Sequence, residues 1–249
     1  MSSRRIRIAP FATIATQLAE RIADDARNAI AARGRCTLAL PGGSVANAVI
    51  PLLAQYDLPW ERMHLLWCDE RAVPLDDPDS NAGAAMRLWS GSPLAAAAHV
   101  HPMRGNAPDL DTEAQRYHEL LVELAGSPPV LDVVLLGVGE DGHVASIFPG
   151  QAAETGAQRT PLLSVLVIRE AAKAPPVRLT LSLPVLGRAH HVIMAAFGAG
   201  KQAIVQGLLT GSATTVPAAH LMREARDFTI MVDDAAGGRS LASGGWHDG

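Results

Sequence analysis

"LDVVLLGVGEDGHVASIFPG", residues 131–150, decides how the rest of the chain is read. Apolar residues over 131–136, broken only by Asp132, run straight into Gly137-Val138-Gly139-Glu140-Asp141-Gly142, which satisfies the G-x-G-x-x-G pattern of a dinucleotide turn. Such a turn needs a helix of several turns directly after it and an acid about twenty positions further on. Here Pro149-Gly150 halts any helix early, and the later region reads "TPLLS", without an acid. The dinucleotide reading fails on context. What remains is a buried strand ending in a tight loop that aims Glu140, Asp141 and His143 into a cleft.

The flanking sequence repeats this strand-then-turn grammar. Ile14, Leu18, Ile22, Ala26 and Ile30 recur every four residues and predict a helix over 11–33, stopped by Gly34. "CTLAL" (36–40) predicts a strand, "PGGS" a turn, and the next run a helix disturbed at Pro51. "MHLLWC" (63–68) predicts a second strand ending at Asp69-Glu70-Arg71, and Ser80-Asn81 a cap for a helix over 82–89. A helix is predicted over 111–126, started by Asp111 or Thr112 and stopped by Gly126. "LLSVLVI", "VRLTLS", "HVIMAAF" and "DFTIMVD" give further strands, with a helix after Gly198-Ala199-Gly200-Lys201. This alternation predicts an α/β fold: a doubly wound, mainly parallel, Rossmann-like sheet with helices on both faces. Residues 1–233 form one predicted domain, and 234–249, small and polar, a flexible tail.

Composition narrows the function. The chain has 249 residues, a net charge of −4 and 48% hydrophobic residues, which excludes disorder and nucleic-acid binding by bulk charge. An anionic ligand then needs a local cationic pocket. Cys36 and Cys68 sit in apolar runs and read as buried free thiols of a reducing compartment, giving a cytoplasmic expectation. Glu20, Arg21 and Asp24 interrupt any signal-peptide core, and no stretch approaches a membrane span.

In a parallel sheet, ligands gather beyond the carboxyl ends of the strands. Pro41-Gly42-Gly43-Ser44 there suits an oxyanion, since glycines allow close backbone approach and a helix N-terminus follows; an ordinary serine-capped turn fits as well. Gly198-Ala199-Gly200-Lys201 lacks the full nucleotide P-loop pattern, because Gln202 follows. Lys201 opposes the helix dipole unless an anion lies near. Asp76, Asp77 and Asp79 only mimic a calcium loop, since Ala82 and Leu88 occupy its glycine and closing-acid places. His99-Val100-His101 has strand spacing for a metal but no evident partner ligand, and His190-His191 point to opposite faces.

Together, "LALPGGSVANAV", "LLWCDERAVPLDDPDSNAGAA", "DVVLLGVGEDGHVASIFPG", "PPVRLTLSLPVL" and "GAGK" resemble, in order, the signature segments of the 6-phosphogluconolactonase family. That family sits within the wider glucosamine-6-phosphate deaminase and ribose-5-phosphate isomerase group of sugar-phosphate isomerase-like folds. The resemblance spans about residues 36–232. The chain departs at Val45-Ala46, where the family usually has Thr-Pro, and at Glu140, where proline is common. Ser146-Ile147-Phe148-Pro149 replaces the Asn-Glu-Pro stretch of the deaminases and favours a lactonase.

The resemblance implies hydrolysis of 6-phospho-D-glucono-1,5-lactone to 6-phosphogluconate in the oxidative pentose phosphate pathway. His143 suits the base, because imidazole titrates near neutrality. Asp141 would orient it or bind sugar hydroxyls, Arg71 would hold substrate charge or the developing oxyanion, and Asp69 would set the local field. Gly42, Gly43, Ser44, Arg178 and Lys201 are implied as the phosphate grip. No metal or cofactor is expected. The expected partner is a small phosphorylated sugar lactone, with no nucleic acid or membrane, and the chain is read as a monomer or homodimer. The alternatives are a deaminase or isomerase on the same scaffold, or a non-catalytic sugar-phosphate sensor.

Overall fold

The computed structural model describes residues 3–150, 164–238 and 247–248. The first half contains β1 (Ser3–Ala9), α1 (Phe11–Arg33), β2 (Cys36–Leu40), α2 (Gly43–Leu53), β3 (Met63–Trp67), β4 (Asp69–Arg71) and α3 (Asn81–Leu88). It continues with α4 (Pro93–Ala97), β5 (His99–Val100), α5 (Leu110–Ala125) and β6 (Val133–Gly137). The second half adds β7 (Val165–Ile168), β8 (Arg178–Leu181), α6 (Leu183–Arg188), β9 (His191–Ala196), α7 (Gln202–Thr210), α8 (Pro217–Glu224), β10 (Asp227–Asp233), α9 (Asp234–Gly237) and β11 (His247–Asp248).

The main sheet runs β11-β1-β10-β9-β6-β2-β3-β5. All its pairs are parallel except β1 with β11. Its central strands are apolar on both sides, as strands covered on both faces must be. Successive residues of β6 divide between two cores: Val133 and Leu135 pack with α1, α2 and α3, while Val134 and Leu136 pack with α5, α6 and α8. Ile14, Leu18 and Ile22 of α1 are fully buried, each contributing about 1.5–3 kcal/mol. The mainly parallel sheet with helices on both faces is therefore as expected.

Several local expectations are corrected. The cap of α5 is Asp109, whose carboxylate accepts from the amides of Asp111 and Thr112, so the helix starts one residue before its predicted position. Ser80 alone caps α3, and Asn81 is already helical. Of the "LLSVLVI" strand, 162–163 lie outside the described residues, as do 239–246 and 249 of the tail. The strand β1 and the helices α4, α6, α8 and α9 were not anticipated; α9, with Ala236 and Gly237 buried, lies within the stretch 234–249 read as a flexible tail. Both cysteines are free and buried. Among the described residues no helix is long and apolar enough to cross a membrane.

The chain leaves β2 toward β3 on one side of the sheet and β6 toward β9 on the other. The carboxyl ends of β2 and β6 thus flank the switch point where ligands of open α/β sheets bind. A separate antiparallel sheet, β4-β8-β7, stands over this end.

Candidate active site

A cleft of about 280 Å³ opens at the switch point. One wall is the turn after β2. Gly42 passes so close to Asn81 that a Cβ there would lie 1.8 Å from Asn81 Oδ1, so any larger residue would have to displace the Asn81 side chain. Gly43 takes φ +68°, and α2 then starts with no side-chain cap. Its first-turn amides and the exposed Ser44 are free donors at the cleft. The turn after β9 supplies Lys201, which has no acidic partner within ion-pair distance among the described residues. Asp233 fixes that turn by accepting from the Gly198 amide at 3.0 Å while also capping α9.

The loop after β6 builds the second wall. Its glycines curl the chain back, so that the Gly139 amide donates to His143 O at 2.9 Å and the Gly142 amide to Gly139 O at 2.9 Å. His143 Nδ1 and Asp141 Oδ1 lie 2.5 Å apart. An ionised carboxylate only accepts, so Nδ1 carries the proton and Nε2 keeps its lone pair. Nε2 has no hydrogen-bond partner among the described residues, and His143 lines the cleft. Gly139 makes this pairing possible: a Cβ there would sit 2.0 Å from His143 Nδ1 and 2.4 Å from Asp141 Oδ1. Burial pushes the His143 pKa below its ordinary value, against the opposing pull of Asp141. Burial draws the Asp141 carboxyl upward, but its hydrogen bonds and charge contact with His143, helped by Lys173, outweigh that and leave it lowered.

The floor is a buried polar chain. Ser146 Oγ donates to Asp69 Oδ2 at 2.6 Å, and Arg178 Nη1 donates to Ser146 Oγ at 3.3 Å. Asn81 Nδ2 donates to the Asp69 backbone carbonyl at 3.0 Å and to its Oδ1 at 3.3 Å. Phe148 lies between His143, with ring centroids 4.5 Å apart, and the Arg178 guanidinium 5.7 Å from its centroid. Arg71 donates from Nη1 to Asp79 O at 2.8 Å, while its buried Nε has no partner among the described residues. Glu70 points elsewhere: it accepts from the amides of Arg71, Asn81 and Ala82 and from Ser80 Oγ, bracing the start of α3. Burial raises its pKa despite those bonds.

Gly42, Gly43, Ser44, Asp69, Arg71, His143, Arg178 and Lys201 thus all line one cleft, and Asp141 stands behind His143. The sequence reading missed Lys173, Asn81 and Ala145, which line it too. Asn81 was hidden by its value as a cap. Lys173 lay just outside the quoted "PPVRLTLSLPVL" segment, and its position two residues before the paired prolines was the available signal. His101, which lacked an evident partner in the sequence, meets His64 at 3.1 Å, Nε2 to Nδ1, and His99 stacks on His64 at 4.7 Å. Burial, with His101, His99 and Arg35, pushes the His64 pKa down to about 4. Among the described residues no group of three or more His, Cys, Asp or Glu is arranged to hold a metal ion.

Residues 11–230 match the family pattern described as glucosamine-6-phosphate isomerases/6-phosphogluconolactonase. The chain is 39% identical over 178 residues to a 6-phosphogluconolactonase of Synechocystis sp., covering 70% of this chain and 71% of that one. Its fold matches that of the 6-phosphogluconolactonase from Trypanosoma brucei with a TM-score of 0.78 at 27% identity, over 95% and 98% of the two chains. It also matches a monomeric glucosamine-6-phosphate deaminase with a TM-score of 0.75 at 20% identity, over 93% and 98%, a likeness of fold alone.

Proposed function

The chain belongs to the glucosamine-6-phosphate isomerase/6-phosphogluconolactonase family, and on that premise we propose that it hydrolyses 6-phospho-D-glucono-1,5-lactone to 6-phosphogluconate. The observation that carries this reading is the His143–Asp141 pair opening onto a cleft lined also by Arg71, Lys173, Arg178 and Lys201. So cationic a cleft suits an anionic sugar phosphate better than a neutral sugar.

In this mechanism His143 Nε2 takes a proton from water as the water oxygen bonds to C1. The carbonyl electrons move onto oxygen, giving a tetrahedral oxyanion. Its collapse breaks the bond from C1 to the ring oxygen, and His143 returns its proton to that oxygen as it leaves. Asp141 keeps the imidazole in the productive tautomer and stabilises the transient imidazolium, as a carboxylate does in other histidine-based hydrolases. Asp69, held by Asn81 and Ser146, contributes a fixed negative charge near His143. The Gly42–Ser44 amides and Lys201 hold the phosphate, with Arg71 binding substrate charge. Arg178 has most of its donors committed to backbone carbonyls and Ser146, which leaves it one free N–H to add to that grip.

The test is turnover of freshly made lactone, corrected for spontaneous opening, beside a panel of amino-sugar, aldose and ketose phosphates scored for ammonia and isomer release. Acid release well above background supports the reading; ammonia or isomer formation without it overturns the reading. A charge-assisted contact contributes about 1.5–3 kcal/mol, so Lys201→Ala should narrow the preference over unphosphorylated gluconolactone by roughly 10- to 150-fold. An unchanged preference would put the phosphate elsewhere.

A further inference from the structure

The loop between β7 and β8 is held in an unusual way. Arg178, 4% exposed, donates from Nε to Pro175 O at 2.8 Å and from Nη2 to Lys173 O at 2.9 Å and Ala174 O at 3.1 Å. One buried guanidinium thus gathers three consecutive carbonyls and, through Ser146, ties them to Asp69. The residues this fixed loop presents to the cleft are Lys173 and Ala174. Ala174 has no chemistry to offer. Lys173 is exposed and has no acidic partner within ion-pair distance among the described residues, yet its backbone is pinned.

We propose that Lys173 is a catalytic residue of the carbonyl end of the cleft: its ammonium binds the C1 oxygen, as oxyanion in the tetrahedral intermediate and as carboxylate in the product. The assignment rests on the lactonase reading above and adds the group that meets the charge this reaction creates. Three observations point the same way. Lys173 shares the cleft with His143, which must stand beside C1. Its charge bears on both members of the His143–Asp141 pair, lowering both pKa values. The other lysine of the cleft, Lys201, stands on a different turn, the one after β9, and is the one assigned to the phosphate above. Around His143 the facing charges are Asp141 and Asp69, which favour its protonated form, and Lys173, which opposes it. Arg71, Arg178 and Lys201 complete the charged lining. Toward Lys173, Arg178 acts through the loop as a positioning residue, while its one free N–H remains for the phosphate grip.

The experiment compares wild type, Lys173→Gln and Lys173→Arg by turnover of phosphorylated and unphosphorylated lactone and by NMR titration of labelled histidine. Removing one oxyanion donor costs on the order of 10²-fold in kcat, and Lys173→Gln should lose that much on both substrates, so that their ratio holds. Lys173→Arg should recover much of it. The His143 pKa should rise in Lys173→Gln, whether or not the substrate is the one proposed. A glutamine variant with normal kcat overturns the proposal wherever His143 titrates, as does a selective loss of phosphorylated substrate, which would make Lys173 a phosphate ligand. Wild-type protein with no lactone turnover, but with the His143 shift present in Lys173→Gln, instead overturns the lactonase reading and leaves Lys173 facing His143.

Discussion

Two histidine–aspartate pairs stand at opposite ends of the sheet, and by hydrogen-bond geometry alone the wrong one looks catalytic. His191, at the start of β9, lies 2.6 Å by Nδ1 from Asp25 Oδ2 and 2.8 Å by Nε2 from Thr229 Oγ1. Hydroxyl, imidazole and carboxylate are in line, as in a hydrolase triad. Yet Thr229 is fully buried and His191 nearly so, and both ring nitrogens are used. Among the described residues His143 has no hydroxyl bonded to it, but it has a free Nε2 and a cleft. The first pair ties α1 to the sheet; the second can act on a ligand. Asp132 makes the same point at the start of β6, where it accepts from the Thr37 amide and hydroxyl at 2.7 and 2.8 Å and pairs with Arg33 at 2.6 Å. Polar groups at the amino ends of these strands are saturated within the protein, and those at the carboxyl ends keep spare valence.

Exchanging the two histidines tests this division most directly. His143→Asn should lower kcat by about 10²–10⁴-fold with little change in melting temperature. His191→Asn should leave the kcat of the folded enzyme unchanged. Steady-state kinetics and thermal melts on both variants check it; a large kcat loss in His191→Asn would mean that the buried pair is no mere tie.

A smaller loss is expected from Gly139→Ala. The new Cβ would overlap His143 Nδ1 and Asp141 Oδ1, so the pair must separate. Displacing a catalytic group by about 1 Å can cost on the order of 10²-fold in rate, and kcat should fall by about that factor. Normal kcat in this variant would show that the pairing is dispensable. Next comes the stability of His191→Asn. Leaving buried partners unsatisfied costs about 1–3 kcal/mol, which urea unfolding would register. No loss would show that Asp25 is satisfied by Arg21, 3.2 Å away, without the histidine.

Much of this could be read from the sequence because it is local. The α1 periodicity, the glycine stops at Gly34 and Gly126 and the strand at 227–233 each depend on neighbours in the chain. β1 was hidden because its partner β10 is over two hundred residues away and its arginines resemble a leader rather than a strand. Its Ile6 and Ile8 do alternate with Arg5 and Arg7, which was the available signal. At the site, glycine turns were legible because backbone geometry restricts the residue type. The Asn81–Asp69–Ser146 chain was not, since it joins three separate elements. Nor could the sequence distinguish His191 from His143 by chemistry, because access is a property of the assembled sheet.

The smallest effect concerns pH, and it distinguishes the two pairs by sign. His143 acts only when neutral, so kcat/KM must fall as pH drops through its pKa. Burial sets that pKa below the ordinary imidazole value of about 6.5, so the acid limb should lie below it and activity be full at neutrality. Asp141 pulls the other way, because its negative charge and hydrogen bond favour the imidazolium. Asp141→Asn removes that pull, and the limb should move to still lower pH. The same change offers Nδ1 an amide that can donate as well as accept, which favours the unproductive tautomer, so kcat should fall at every pH. The variant is then slower, yet keeps a larger share of its own maximum in acid. His191 lies at the far end of the sheet, so Asp25→Asn should leave the limb where it was. A pH profile of kcat/KM for the three proteins decides the matter. A limb that rises in Asp141→Asn, or one that moves in Asp25→Asn, would mean that the titrating group is not the His143 of the cleft.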